Sequence, residues 1–188
     1  VQADCEELSM KAVQPLADPG QAVEEALSHP IGTPRLEEII QKKRKPAGRL
    51  LVAITVSDIT RPVPYKGEQG LLLPLLKQLR TAGVSRENIK IIVGTGLHRP
   101  ATGQEKLEMY GREVVSHYQI IDHQADNPAL LLSLGQTRRG TPVSINRDFY
   151  SADLKIATGL VESHFFAGIS GGQKAICPGL VDIKTIEK

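Results

Sequence analysis

Three short apolar runs constrain the fold of this chain more than any other feature. They are Leu50-Leu51-Val52-Ala53-Ile54-Thr55, Ile89-Lys90-Ile91-Ile92-Val93 and Leu154-Lys155-Ile156-Ala157. A near-continuous apolar run of this length is the pattern of a strand buried on both faces. Helical stretches separate the runs. Gly70 to Arg80 reads as a leucine-rich helix stopped by Gly83, and Thr102-Gly103-Gln104-Glu105 is a capping box for a helix that ends at Gly111. Tyr118 to Asp122 reads as a further short strand, and Leu130–Thr137 with Thr141–Asn146 as a hairpin about Arg138-Arg139-Gly140. Upstream, Asp18-Pro19-Gly20-Gln21 starts one short helix and Thr33-Pro34 a second, with Leu36, Ile39 and Ile40 on one face. Strands alternating with helices across short connections predict an α/β fold: a mostly parallel, doubly wound (Rossmann-like) sheet with a local β-hairpin.

Composition narrows the function classes. At 188 residues the chain can bury a real core as one domain. The formal charge of +2 is close to neutral, and the longest basic run, Lys42-Lys43-Arg44-Lys45, reads as a solvated helix end. No aromatic residues are interleaved with it, so nucleic-acid binding is disfavoured. No apolar stretch approaches a membrane span. Cys5 and Cys177 stand far apart, with no zinc spacing, which predicts a reduced, cytoplasmic setting. The chain has no starting methionine and ends at Glu187-Lys188 in what reads as a helix, so it is expected to be a fragment.

Chemistry collects where the apolar runs end. The first opens into Ser57-Asp58-Ile59-Thr60-Arg61-Pro62, the second into Gly94-Thr95-Gly96-Leu97-His98-Arg99, and the third into a glycine-rich stretch from His164 to Lys174. In parallel sheets, ligands bind in the crevice beyond the strand C-termini, so the three loops are expected to face one site. Two histidines on separate loops suit a reaction that handles a proton on either face, because imidazole titrates near neutrality. The planar fork of Arg61 suits a carboxylate or phosphate. Each residue also has a plainer reading. Asp58 could cap the turn before Pro62, Arg61 could be a surface ion-pair partner, and His98 a solvated turn residue. His164, beside Phe165 and Phe166, could be a core histidine, and Lys174 an ordinary loop lysine. His29, His117 and His123 read as structural, although His123 has polar neighbours.

The glycine-rich stretch, with small residues between Gly168 and Gly172 apart from Ile169, could cradle an anion on bare amides. It departs from a nucleotide P-loop, because Gln173 stands where glycine is needed and Ala175 where a hydroxyl is needed. A non-catalytic phosphate- or nucleotide-binding module built on Ser170 to Lys174 is therefore the alternative to an enzyme.

Ser57-Asp58-Ile59-Thr60-Arg61-Pro62, Gly94-Thr95-Gly96-Leu97-His98-Arg99 and His164-Phe165-Phe166-Ala167-Gly168-Ile169-Ser170-Gly171-Gly172-Gln173-Lys174, with Pro178-Gly179, together resemble the lactate racemase family. The resemblance runs from about Ala26 to Lys188. It implies a cytoplasmic two-domain racemase or epimerase of a 2-hydroxy acid, lactate or a related one. On this reading residues 1–188 are the N-terminal catalytic domain, and the C-terminal domain that closes the cleft is absent. The family's cofactor is a nickel-pincer nucleotide, which implies partner proteins that build it. By resemblance Lys174 is its covalent tether, and Asp58, Arg61, Gly171 and Gly172 line the cofactor pocket. Arg61 and Arg99 are then the substrate-binding cations, and His98 and His164 the paired acid/base catalysts. The nickel-binding histidine expected from the family would lie beyond Lys188, so this chain alone is expected to be inactive.

Overall fold

A computed structural model describes residues 11–44 and 48–188, so Cys5 and Lys45 of the basic run lie outside the described residues. The central sheet has four parallel strands in the order β3-β2-β1-β6: β1 (Val52–Val56), β2 (Ile89–Val93), β3 (Gln119–Asp122) and β6 (Leu154–Ala157). The register pairs Val52 with both Ile89 and Leu154. Between β3 and β6 the chain forms the hairpin β4 (Leu131–Gln136) and β5 (Pro142–Asn146), then α5 (Arg147–Ser151). A two-stranded ribbon follows β6, made of β7 (Ser163–His164) and β8 (Gly168–Ile169). The remaining helices are α1 (Pro19–Ser28), α2 (Leu36–Lys43), α3 (Leu72–Thr81), α4 (Gly103–His117) and α6 (Ile183–Ile186).

Alternation along the strands sends side chains to two cores, because successive residues point to opposite faces. Val52, Ile54 and Val56 join Ile89, Ile91 and Val93 against Leu72, Leu75, Leu76 and Leu79 of α3 and Met109, Tyr110 and Val114 of α4. Ala53 and Ile92 face the other way, against Ile145, Phe149, Ala152, Leu180 and Val181. Burial on both faces is why β1 reads as an unbroken apolar run. At about 1.5–3 kcal/mol for each fully buried Leu or Ile, these contacts dominate the stability of the sheet.

Local signals hold where the chemistry is local. Asp18 caps α1 by accepting from Gln21 N–H at 2.9 Å, and both halves of the Thr102–Glu105 capping box are made. The expected stop at Gly111 is a break rather than an end. Gly111 takes φ 82° and ψ 158°, and a second helical stretch continues to His117. Tyr110 and Val114 on either side are buried, so packing against the sheet carries the helix past the break.

His123, just past β3, is fully buried and ties the second face together. Its Nε2 donates to the Val181 carbonyl at 2.9 Å. Its Nδ1 faces Asn146 Nδ2 at 3.5 Å, and the Asn146 amide is oriented by accepting from Phe149 N–H at the start of α5. A second ring proton would point at the Asn146 amide donor. Burial moves the imidazole below its ordinary value near 6.5, with the Val181 carbonyl opposing. Between the folded and unfolded values the unfolded chain binds more protons, so this contribution is complete above about pH 6.5 and is lost as pH falls below it. Thermal unfolding followed from pH 8 to 5 should show this decline, and His123→Gln should flatten it while lowering stability throughout.

Candidate active site

The strand order fixes where a ligand can lie. From β1 the chain winds outward through β2 and β3, then returns to pair β6 on the other side of β1. The switch point is therefore between β1 and β6, and a crevice opens beyond their C-terminal ends. There the structure has a cleft of about 520 Å³ walled by the loops after β1, β2 and β6 and by the segment from Ser170 to Gly179.

The wall after β1 hangs on two buried phenols. Tyr65 and Tyr110 pack edge to face, with ring centroids 5.7 Å apart. Ser57, the first residue after β1, donates its N–H to the Tyr65 hydroxyl at 2.8 Å and accepts from the Tyr110 hydroxyl at 2.7 Å. The Tyr65 hydroxyl lies 2.9 Å from Thr158 Oγ1, which donates onward to the Thr55 carbonyl at 2.6 Å. Burial, then Tyr65 and the acids Asp122 and Asp58, push the Tyr110 phenol far up, so it stays a neutral donor. Four groups thus stitch the end of β1 to the end of β6.

Asp58 serves two partners, one on each oxygen. Oδ1 accepts from Thr60 N–H at 3.1 Å and Thr60 Oγ1 at 2.5 Å, the turn that the plainer reading anticipates. Oδ2 lies 2.5 Å from His98 Nδ1. Burial alone would raise this carboxyl, but the Thr60 hydroxyl and the His98 ring hold it below its ordinary value. A carboxylate facing Nδ1 makes that nitrogen the donor and leaves the Nε2 lone pair free.

Glycines let the remaining walls close up. A Cβ at Gly179 would stand 2.3 Å from the Ala175 carbonyl oxygen, and Gly179 in turn accepts from Gly96 N–H at 3.0 Å. Gly171 has φ +71° and lies against the Leu160 carbonyl. Ser170 staples the base of the ribbon, donating to Leu160 O at 2.6 Å and accepting from Glu162 N–H at 3.1 Å. The glycine-rich stretch then enters one 3₁₀ turn, Gly172–Ala175, rather than an α-helix, so no helix terminus backs an anion there.

Asp58, Arg61, His98, Gly171 and Lys174 all line the cleft. Arg99, His164 and Gly172 do not. Arg99 turns outward onto Glu105. His164 sits in the ribbon, where Nδ1 accepts from Ala167 N–H at 3.1 Å, and its neighbour Phe166 reaches the cleft instead. Among the described residues neither Arg61 nor Lys174 has an ion-pair partner, and the one acid in the lining, Asp58, is engaged with Thr60 and His98. The cleft therefore presents unmatched positive charge. Sequence reasoning missed Tyr65, Tyr110 and the wall Thr158-Gly159-Leu160. Buried tyrosines need a hydrogen-bond partner, a general signal that points to no particular one.

Fold and cleft define the class: a doubly wound α/β domain with a cation-lined crevice and an acid–imidazole pair at its switch point. A family model described as the lactate racemase N-terminal domain matches residues 2–188, and the chain belongs to that family. It is 38% identical over 167 residues to a lactate racemase of Lactiplantibacillus plantarum, covering 88% of this chain and 37% of that protein. A lactate racemase of Thermoanaerobacterium thermosaccharolyticum is likewise 38% identical over 165 residues, covering 87% and 36%. The solved apoprotein of the lactate racemase from T. thermosaccharolyticum superposes with a TM-score of 0.78 at 35% identity, over 90% of this chain and 38% of that one. A Thermotoga maritima protein with TM-score 0.64 and 20% identity, over 91% and 41%, shares the fold. The chain thus spans a little over a third of the length of the racemases it matches.

Tyr65→Phe tests the stitch between β1 and β6. It leaves the Ser57 N–H without its acceptor and should cost about 1–3 kcal/mol in urea denaturation. Tyr110→Phe, which leaves a carbonyl rather than an N–H unmet, should cost less.

Proposed function

We propose that the full-length protein is a racemase or epimerase that inverts C2 of a 2-hydroxy acid, lactate or a close relative. The observation that carries this reading is the 2.5 Å contact between Asp58 Oδ2 and His98 Nδ1 in a cleft that also holds Arg61 and Lys174 unpaired. Asp58 keeps the proton on Nδ1, so His98 Nε2 takes the substrate hydroxyl proton and later returns it. Arg61 grips the substrate carboxylate with its fork. His164 serves the hydroxyl of the opposite enantiomer; its Nδ1 accepts from Ala167 N–H, which puts the neutral ring's proton on Nε2, so action as a base there requires that contact to be released. That role requires the ribbon to present His164 to the cleft.

The family implies a nickel-pincer nucleotide, and the residues present fit its organic part. Lys174 is a half-buried amine at the cleft wall with no ion-pair partner among the described residues, suited to a covalent tether. Gly171 offers bare backbone beside it, and Arg61 offers charge to a phosphate. Among the described residues no group of three or more His, Cys, Asp or Glu side chains could hold a metal, so nickel ligands are sought in the rest of the full-length protein. When bound, the nucleotide supplies a reversible acceptor for the C2 hydride, the step that protein side chains cannot perform. The rest of the full-length chain, read as a C-terminal domain, would complete the pocket, and dedicated proteins would build the cofactor. Among the described residues no helix is long and apolar enough to cross a membrane, and Cys177 is a free thiol. The cytoplasmic location that the family resemblance implies suits a free thiol.

A phosphate-binding module is the weaker reading, because Ser170 Oγ is engaged at the ribbon base and the loop leads into a single 3₁₀ turn. The decisive test uses full-length protein co-expressed with the cofactor-building proteins. An intact-mass adduct lost in Lys174→Ala, with racemisation of L-lactate or a related acid falling about 10²–10⁴-fold in His98→Gln, is the expected outcome. No adduct and no racemisation of any 2-hydroxy acid would overturn the reading. Unaltered ligand affinity in His98→Gln, with no turnover in either protein, would favour the binding module.

A further inference from the structure

We propose that Arg99 and Glu105 form a latch that holds the His98 ring against Asp58, and that Arg99 is a positioning residue rather than a substrate ligand. The inference rests on the acid/base role proposed for His98. The His98 loop has little packing of its own. Its ring is 55% exposed, and Leu97 beside it is 58% exposed. Polar anchors must therefore set its position. Arg99, next to His98 in the chain, lays its two terminal guanidinium nitrogens on one carboxylate, Nη1 on Glu105 Oε2 at 2.9 Å and Nη2 on Oε1 at 2.6 Å. Nη1 also donates to the Pro100 carbonyl at 3.0 Å, which stiffens the turn between the two.

The carboxylate that receives this fork is fixed in its own right. Glu105 accepts from Thr102 N–H at 2.8 Å as the third residue of α4, so it moves only if the helix start moves. The Arg99 contact, then the Thr102 amide, pull its carboxyl down to about 2, so the fork stays ionised across the working range of pH. The same loop is pinned once more at its far end. Ala101 N–H donates to Asp122 Oδ1 at 3.0 Å, and Lys106 grips Asp122 Oδ2. The loop carrying His98 is thus tied to the start of α4 and to the end of β3. The guanidinium inside the cleft is that of Arg61, and Arg99 is not among the lining residues.

Two readouts on full-length protein test the latch: kinetics of the cofactor-loaded enzyme with a 2-hydroxy acid, and NMR of the cofactor-free protein. Glu105→Gln removes the ionic partner while keeping a residue that completes the capping box. Arg99→Gln and Glu105→Gln should each lower kcat about tenfold with KM within twofold of wild type. The double variant should be no worse than either single, because both remove one interaction. In NMR, the low-field Nδ1–H signal of His98, identified by its absence in His98→Gln, should broaden away in both singles. Melting temperatures should barely move, since exposed ion pairs add little to global stability. A KM raised tenfold in Arg99→Gln but not in Glu105→Gln would overturn the latch in favour of substrate binding by Arg99. Additive losses, or an unchanged Nδ1–H signal in both singles, would overturn it as well. If wild-type protein turned over no 2-hydroxy acid, the functional reading would fail while the NMR readout still decided the latch.

Discussion

The Tyr65 hydroxyl is the point on which the site depends. One oxygen accepts from Ser57 N–H, and the hydroxyl meets Thr158, which continues to the Thr55 carbonyl. Parallel strands diverge where their ladder ends, and the walls of a switch-point crevice are loops with no ladder of their own. A half-buried chain of hydroxyls, anchored on the buried Tyr65, carries the connection past the end of the ladder. Tyr110 completes the arrangement by holding the Ser57 carbonyl. Asp58, next in the chain, is therefore delivered to one place relative to β6 and to the loop after β2.

With its backbone fixed, Asp58 links the Thr60 turn to the His98 ring. One oxygen closes the Thr60 turn and the other meets His98, so a residue needed for folding the loop also orients the imidazole. Among the described residues Arg61 and Lys174 stand in the cleft without counter-ions, a charge that an anionic ligand would neutralise. Two observations bear on the other expected residues. Arg99 is drawn away by Glu105, and His164 is held in a ribbon whose phenylalanines, Phe165 and Phe166, are 94% and 90% exposed.

Much of the fold was legible because its signals are local or periodic. Burial on both faces writes itself into β1 and β2 as apolar runs, and the Thr102–Glu105 box and the Gly83 stop are read from neighbouring residues. Gly111 reads as a helix end because glycine favours helix termini, and at φ 82° it does break the helix, yet packing of Val114 restarts it. The cleft was legible as the place where three loops converge, since strand ends in a parallel sheet share one side. Which members of those loops point inward was not legible. Arg61 and Arg99 look alike in the chain, and only the position of Glu105 decides that one faces the cleft and the other leaves it.

The sequence by itself determined the alternation of strands and helices, the three polar loops, and the set of residue types available for an acid/base site. These follow from side-chain period and turn chemistry, which act over a few residues. The tertiary structure alone decided the strand order, with β6 returning beside β1, and hence the switch point. It also decided the pairing of Asp58 with His98 and the hydroxyl chain from Ser57 through Tyr65 to Thr158. Those contacts join residues far apart in the chain. Their geometry is set by how two cores pack on opposite faces of one sheet, and no local pattern carries that information.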